Sequence, residues 1–227
     1  MKRIIFFLSM AALMMLAVSC KKDKPATPKV PDGAVDLGIV MTRDDGTTYK
    51  LYWAKANLSR NGLCSNPEDY GDFFAWGETA PKDNYSQSNY TYSDNPAVIP
   101  IEKDAARILA GGKWRMPTMA ECQALLSLSG KEDYSFDRNY KYGSGEGVYG
   151  VLITQKSTGN SLFFPLAGYA EGSQIGEGVS EDGSYWSSTR NETKPDNAIQ
   201  LTLGSSFGIW AFGNRYGGAS IRPVWEE

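Results

Sequence analysis

"GGKWRMPTMAECQALL", residues 111–126, is the stretch whose reading decides the fold. Trp114, Arg115, Glu121 and Cys122 crowd together in it as they would in a catalytic signature. The same residues also describe the start of a helix. Thr118 and Glu121 have the S/T-x-x-E spacing of a capping box, in which the hydroxyl accepts from the Glu121 N–H and the carboxylate reaches back to the Thr118 N–H. Met119, Cys122, Leu125 and Leu126 then fall on one helical face. A helix is therefore predicted from Met119, ended by Gly130, with Pro117 setting the approach of the chain and Trp114 in a core. Just upstream, "IEKDAARILAGG" (101–112) predicts another short helix. Ala105, Ile108 and Leu109 share its face, and Gly111-Gly112 stops it.

Outward from these helices the pattern is strand and turn. "VDLGIVMTRDDGTTYKLYWAKANL" (35–58) reads as two strands joined at Asp45-Gly46, a pair suited to the positive φ of a hairpin turn. The turn accounts for Asp44 and Asp45 better than a calcium site does. "CSNPEDYGDFFAWGETAPKDNY" (64–85) mixes aromatics with turn formers, and "QSNYTYSDNPAVIP" (87–100) predicts an exposed loop. "GVYGVLIT" (147–154) and "NSLFFPLAGY" (160–169) form a hairpin across "QKSTG". "SYWSST" (184–189) is a short aromatic strand. In "NAIQLTL", Ile199, Leu201 and Leu203 alternate with Gln200 and Thr202, the period of a half-buried strand. "FGIWAFG" pairs with it across Gly204-Ser205-Ser206, and "ASIRPVW" (219–225) closes the chain as a last strand. The expected class is α+β: a twisted antiparallel sheet, two short helices and long loops.

The ends bear on location. Lys2 and Arg3 precede an apolar run, Ile4–Val18, which is followed by Ser19-Cys20, the layout of a signal peptide over 1–19. Fifteen helical residues reach about 22 Å, short of the ~30 Å hydrocarbon core. "LAVSC" resembles the lipobox of bacterial lipoproteins, in which the Cys becomes the acylated first residue. Leu16 lies one place further from Cys20 than in the usual pattern, and ordinary secretion is the other reading. The resemblance implies lipid on Cys20 and an outer-membrane location in a cell envelope. Residues 20–34 then form a Lys/Pro-rich tether about 40 Å long when extended, and 35–227 form one domain. Loss of Lys2 and Arg3 takes the formal net charge from −3 to −5. An acidic domain without a basic stripe argues against a nucleic-acid partner. Cys64 and Cys122 remain after Cys20. In an oxidising compartment they form one disulfide, worth roughly 4 kcal/mol for its long loop, or stay as two thiols with Cys122 in the core.

"EDYGDFFAWGET", "GGKWRMPTMAE", "LFFPLAGY", "YWSST" and "SIRPVW", in this order, resemble the Fibrobacter succinogenes major paralogous domain group and related Bacteroidetes surface lipoproteins. The likeness spans roughly 35–225. That group is similar to the wider C-type-lectin-like fold. Formylglycine-generating enzymes share the fold, with a helix-opening R-x-P-T-x-x-E and a late G-x-x-x-R. Arg115, Pro117, Thr118 and Glu121 match the first pattern, and Gly218 and Arg222 the second. The resemblance implies a twisted sheet, two helices and a long loop region that carries binding.

Little supports catalysis. The chain has no histidine, so the commonest general base, triad partner and metal ligand are missing. The enzymes just named depend on a C-terminal cysteine pair, and no Cys follows Cys122. Zinc lacks a ligand set. Scattered carboxylates such as Asp72, Glu78, Asp137 and Asp182 would need to face one another to cleave a glycoside. The calcium-binding triplets of sugar-binding C-type lectins are only approached, by "KPDN" (194–197) and "WSS" (186–188), so calcium is expected at most as a structural ion and no cofactor is predicted. Binding through aromatic loops survives best. Tyr169, Tyr185, Trp210 and Tyr216 sit near strand ends beside Asn214 and Arg215, where rings stack on sugars or side chains and Arg adds directional donors. Tyr185, Trp210, Asn214, Arg215 and Tyr216 are the predicted ligand-binding residues. Trp53, Trp114, Trp186 and Trp225 are assigned to the core. The expected work is recognition of a glycan, matrix polymer or cell-surface protein. A structural role in a surface assembly, such as an adhesin or fimbrial tip, is the alternative, and a cryptic carbohydrate-active enzyme the third reading.

Overall fold

The computed structural model describes residues 31–227. The signal segment, the lipobox with Cys20 and most of the tether lie outside the described residues. The chain opens with the predicted hairpin, β1 (Ala34–Thr42) and β2 (Thr48–Ala54). Its turn closes through Arg43 N to Thr47 O at 2.8 Å. Gly46 takes φ 81°, and the Asp45 carboxylate accepts from the Thr47 amide and hydroxyl at 2.9 and 2.6 Å. Two short strands follow, β3 (Leu58–Ser59) and β4 (Gly62–Leu63), then helices α1 (Ala105–Ala110) and α2 (Met119–Leu126). β5 (Tyr134–Tyr142), β6 (Val148–Gln155) and β7 (Ser161–Pro165) form one antiparallel sheet. A hairpin of β8 (Tyr169–Glu171) and β9 (Gln174–Glu177) leads into a second meander, β10 (Asp182–Arg190), β11 (Asn197–Gly204) and β12 (Gly208–Asn214). The last strand, β13 (Val224–Glu226), returns to pair with β2, so the first and last strands share one sheet. The architecture is mostly antiparallel strand with two short helices, compatible with a small α+β or a mostly-β fold.

The principal core lies where these sheets meet α2. Leu37, Leu51 and Trp53 of the first sheet pack with Val151, Ile153, Phe164, Leu201 and Leu203, and α2 adds Cys122 and Leu125. A second cluster joins Phe74, Trp76, Met116, Trp186 and Ile221, so the irregular 64–85 stretch is held by its aromatics. Trp53, Trp114, Trp186 and Trp225 are all buried.

The opening motif builds the α2 terminus. Both halves of the capping box are made. Glu121 is fully buried and its oxygens accept from Arg115 Nη1 and Nη2 at 2.8 and 2.6 Å, from the Tyr49 hydroxyl at 2.8 Å and from Thr118 N at 2.8 Å. Burial would raise this carboxyl, but Arg115 and the other donors outweigh it and hold it below its usual value. Arg115 reaches on to Glu226 at 3.0 Å, tying the helix to the last strand.

Several expectations need correction. α2 ends at Leu126 with Ser127 as its cap; Gly130 ends the turn that follows. α1 starts at Ala105, capped by Asp104, and buries Ala105 and Ala106, whereas Ile108 is exposed. With only six residues, it docks by its first turn of small side chains. The 87–100 loop is not wholly at the surface: Tyr92 and Ile99 are buried. β5 alternates half-buried with exposed residues and extends the β6–β7 hairpin into a three-stranded sheet. The final strand is shorter than 219–225, because Ala219 and Ser220 make only single bridges to Phe74 and Tyr185. Cys64 and Cys122 are unbonded thiols. Cys122 points into the principal core, while Cys64 is half-buried beyond β4 with its amide bonded to Asn57 O. Burial raises both thiols.

Candidate functional site

The late G-x-x-x-R pattern is structural. A side-chain carbon on Gly218 would meet Ala170 and Tyr85 at 2.8 Å, so only glycine permits the close bridge between Gly218 and Ala170. Arg222 is almost fully buried. Its guanidinium donates to Asn57 Oδ1 at 2.8 Å and to the carbonyls of Ala54, Lys55 and Phe163 at 2.9–3.2 Å, over the Phe164 ring. Burial pushes it down to about 10, so it stays charged at neutral pH, held by carbonyl dipoles.

Two of the predicted ligand-binding residues are inside the protein. Tyr185 is 1% exposed. Its ring meets Phe164 edge-on at 5.1 Å and its hydroxyl donates to Pro165 O. It lies on the β10 face that alternation turns toward Leu201, hence into the core. Arg215 is 6% exposed. Its donors go to Tyr90 Oη, Asn95 Oδ1, Pro195 O, Tyr92 O and Asp94 O. Its guanidinium carbon stands 4.6 Å from the Trp76 ring centroid, with Tyr90 and Tyr92 flanking. Arg215 is the clasp that holds the 90–95 loop to the domain. The near-miss "KPDN" segment serves it with backbone, because Asp196 O accepts from Arg215 N at 2.9 Å.

The other three predicted residues come together at the surface. A cleft of about 250 Å³ opens where β8, Ser184 of β10, the middle of β11 and the end of β12 meet the 216–218 turn. Asn214 and Tyr216 line it, and so does Tyr169. Asn197 Nδ2 donates to Asn214 Oδ1 at 3.1 Å, and Asn214 Nδ2 donates to the Tyr216 hydroxyl at 2.9 Å. This chain orients the Tyr216 ring and leaves its O–H free to donate. Burial, then the nearby Glu177 carboxylate, raises the Tyr169 phenol. Trp210 lies beside the cleft. It is 44% exposed and meets Phe212, 52% exposed, edge-to-face at 5.5 Å. Phe212 lines the cleft, so an aromatic ridge runs from its rim along β12.

Sequence reading missed Phe212, Glu171 and Gln200. Phe212 had a signal, since it stands two residues from Trp210 and so on the same side of the strand. Gln200 lies against Gly213, which has no side chain to displace it, and its place in the wall depends on the β11–β12 register. Glu171 is brought in by the bridge between Ala170 and Gly218, a long-range contact of the fold.

β12 is also an open edge. The sheet order β10-β11-β12 leaves its outer side unpaired among the described residues. Gly204 N donates to Phe207 O, so ladder alternation turns the backbone groups of Trp210 and Phe212 outward. Ile209 is exposed there too.

Of the other candidate carboxylates, Asp72 is gripped by Arg60 at 2.7 and 3.1 Å and Glu78 accepts from the amide and hydroxyl of Thr91, whereas Asp182 keeps a buried oxygen without a hydrogen-bond partner. Among the described residues no group of three or more carboxylate or Cys side chains is placed to hold a metal, and no helix is long and apolar enough to cross a membrane. Comparison of the chain with protein-family models, with curated proteins and with solved structures gives no match.

Proposed function

We propose that this chain is a non-catalytic cell-envelope lipoprotein, anchored to the outer membrane by lipid on Cys20. In this reading its one domain has the C-type-lectin-like fold of the Fibrobacter major paralogous domain group and recognises a glycan, matrix polymer or surface protein. The observation that carries the recognition reading is the cleft between β8, β11 and the end of β12, where Tyr169, Asn214 and Tyr216 converge beside exposed Trp210 and Phe212. Concave sites with aromatic walls and a few oriented polar groups are the usual form of a small-ligand site. The pairing of first and last strands, the two helices and the five ordered motifs support the fold assignment. One carboxylate, Glu171, lines the cleft, whereas glycoside hydrolysis requires two facing groups. A glycan array read with Trp210→Ala and Tyr216→Ala tests the site. Loss of at least tenfold in affinity in either variant is expected, and unchanged binding in both dismisses it. Palmitate labelling lost in Cys20→Ala tests the anchor.

The open β12 edge favours the second reading, a component of a surface assembly. An unprotected strand with exposed Ile209, Trp210 and Phe212 is a template for an added strand. Under that reading, a proline placed at Trp210 abolishes assembly with envelope proteins while the cleft variant Tyr216→Ala leaves it intact.

A further inference from the structure

The lining of the cleft is nearly without charge. No Lys or Arg contributes to it, and its one ionised group is Glu171. A second carboxylate, Glu177, stands by Tyr169 at the rim. The cation nearest in sequence, Arg215, lies between Asn214 and Tyr216, yet all of its donors point inward to Tyr90, Tyr92, Asp94, Asn95 and Pro195. The basic residue adjoining the lining in sequence is thus spent on holding a loop. An anionic ligand placed here finds like charge and no compensating donor cation, an arrangement that selects against it.

The remaining groups suit hydroxyls. The Tyr216 O–H is free to donate because its oxygen already accepts from Asn214. Gln200 offers both a donor and an acceptor, and Glu171 is a strong acceptor. The Phe212 ring provides an apolar face. The volume of about 250 Å³ falls below the ~300–1,000 Å³ of drug-sized sites, so it takes one ring rather than a chain. We infer that the cleft is selective for a neutral saccharide, seating a single sugar ring among Phe212, Tyr216, Gln200 and Glu171 and excluding uronate and sulfated glycans. This rests on the recognition reading above and names its ligand class.

The test is a titration of the purified protein with matched neutral, uronate-bearing and sulfated oligosaccharides at physiological salt, by calorimetry. Neutral members are expected to bind at least tenfold more tightly than their acidic counterparts. Glu171→Gln, at an exposed strand end, should narrow that ratio by at least threefold with thermal unfolding unchanged. Tyr149→Ala, an exposed ring on β6 away from the cleft, should leave both affinities as they are. Acidic glycans binding as well as neutral ones overturn the inference while sparing the recognition reading. A charge ratio unmoved by Glu171→Gln overturns the cleft as its origin. Absence of binding to every saccharide overturns the glycan form of the recognition reading and the inference together.

Discussion

Glu121 offers the sharpest test of the reading that the 111–126 motif builds structure. Four hydrogen bonds end on its two oxygens, from Arg115 (two), Tyr49 and Thr118. Truncation in Glu121→Ala leaves the Arg115 side chain, only 16% exposed, with Glu226 as its remaining charge partner. Breaking one side of a buried ion pair costs about 3–5 kcal/mol. Retention of Glu226 argues for the lower end, and loss of half the capping box adds a fraction of the ~1 kcal/mol of a cap. The expected destabilisation is about 4 kcal/mol. With an m-value of about 2–3 kcal/mol/M for urea, the unfolding midpoint should fall by roughly 1.5 M. Glu121→Gln keeps the shape and loses the charge, so about half that shift is expected. The pH dependence follows from the same geometry. The folded carboxyl is held below its ordinary value, so its contribution is fully present above about pH 4.5 and is lost as pH falls through the folded value. Glu121→Gln should flatten the acid limb of the stability curve. A midpoint change under ~0.3 M in Glu121→Ala, on the same m-value scale, would refute the argument, as would an acid limb identical in wild type and Glu121→Gln.

Two further outcomes follow from the buried groups. Arg215→Ala should raise amide exchange of residues 92–95 by at least tenfold while exchange in β6 and β11 stays slow, because the clasp holds a loop rather than the core; uniform acceleration through the whole domain would show that Arg215 is part of the global core instead. In a thiol assay Cys64 should react in the native state and Cys122 only on unfolding, since Cys122 is packed in the principal core; failure of both to react even in denaturant would show them joined.

The parts legible in the sequence are those set by local rules. The Asp45-Gly46 turn, the Thr118–Glu121 box and the period-two run Ile199–Leu201–Leu203 each state their geometry within a few residues, and each takes that geometry in the structure. Side-chain direction at the site was not local. Tyr185, Arg215 and Tyr216 look alike in sequence, as aromatic or basic residues in glycine-rich C-terminal segments. Tyr185 goes inward because pairing with β11 on one edge and the bridge to Ser220 on the other fix β10 in a register that sets Tyr185 opposite Leu201, on the face packed with Phe164 in the core. Arg215 goes inward because a loop more than a hundred residues earlier supplies two rings and four acceptors, and Trp76 of the 64–85 stretch adds a third ring. Tyr216 stays at the surface because Asn214, anchored by Asn197, holds its hydroxyl from the side. The same packing thus decides two things at once: burying Arg215 secures the 90–95 loop, and it leaves a cleft whose lining carries no positive charge.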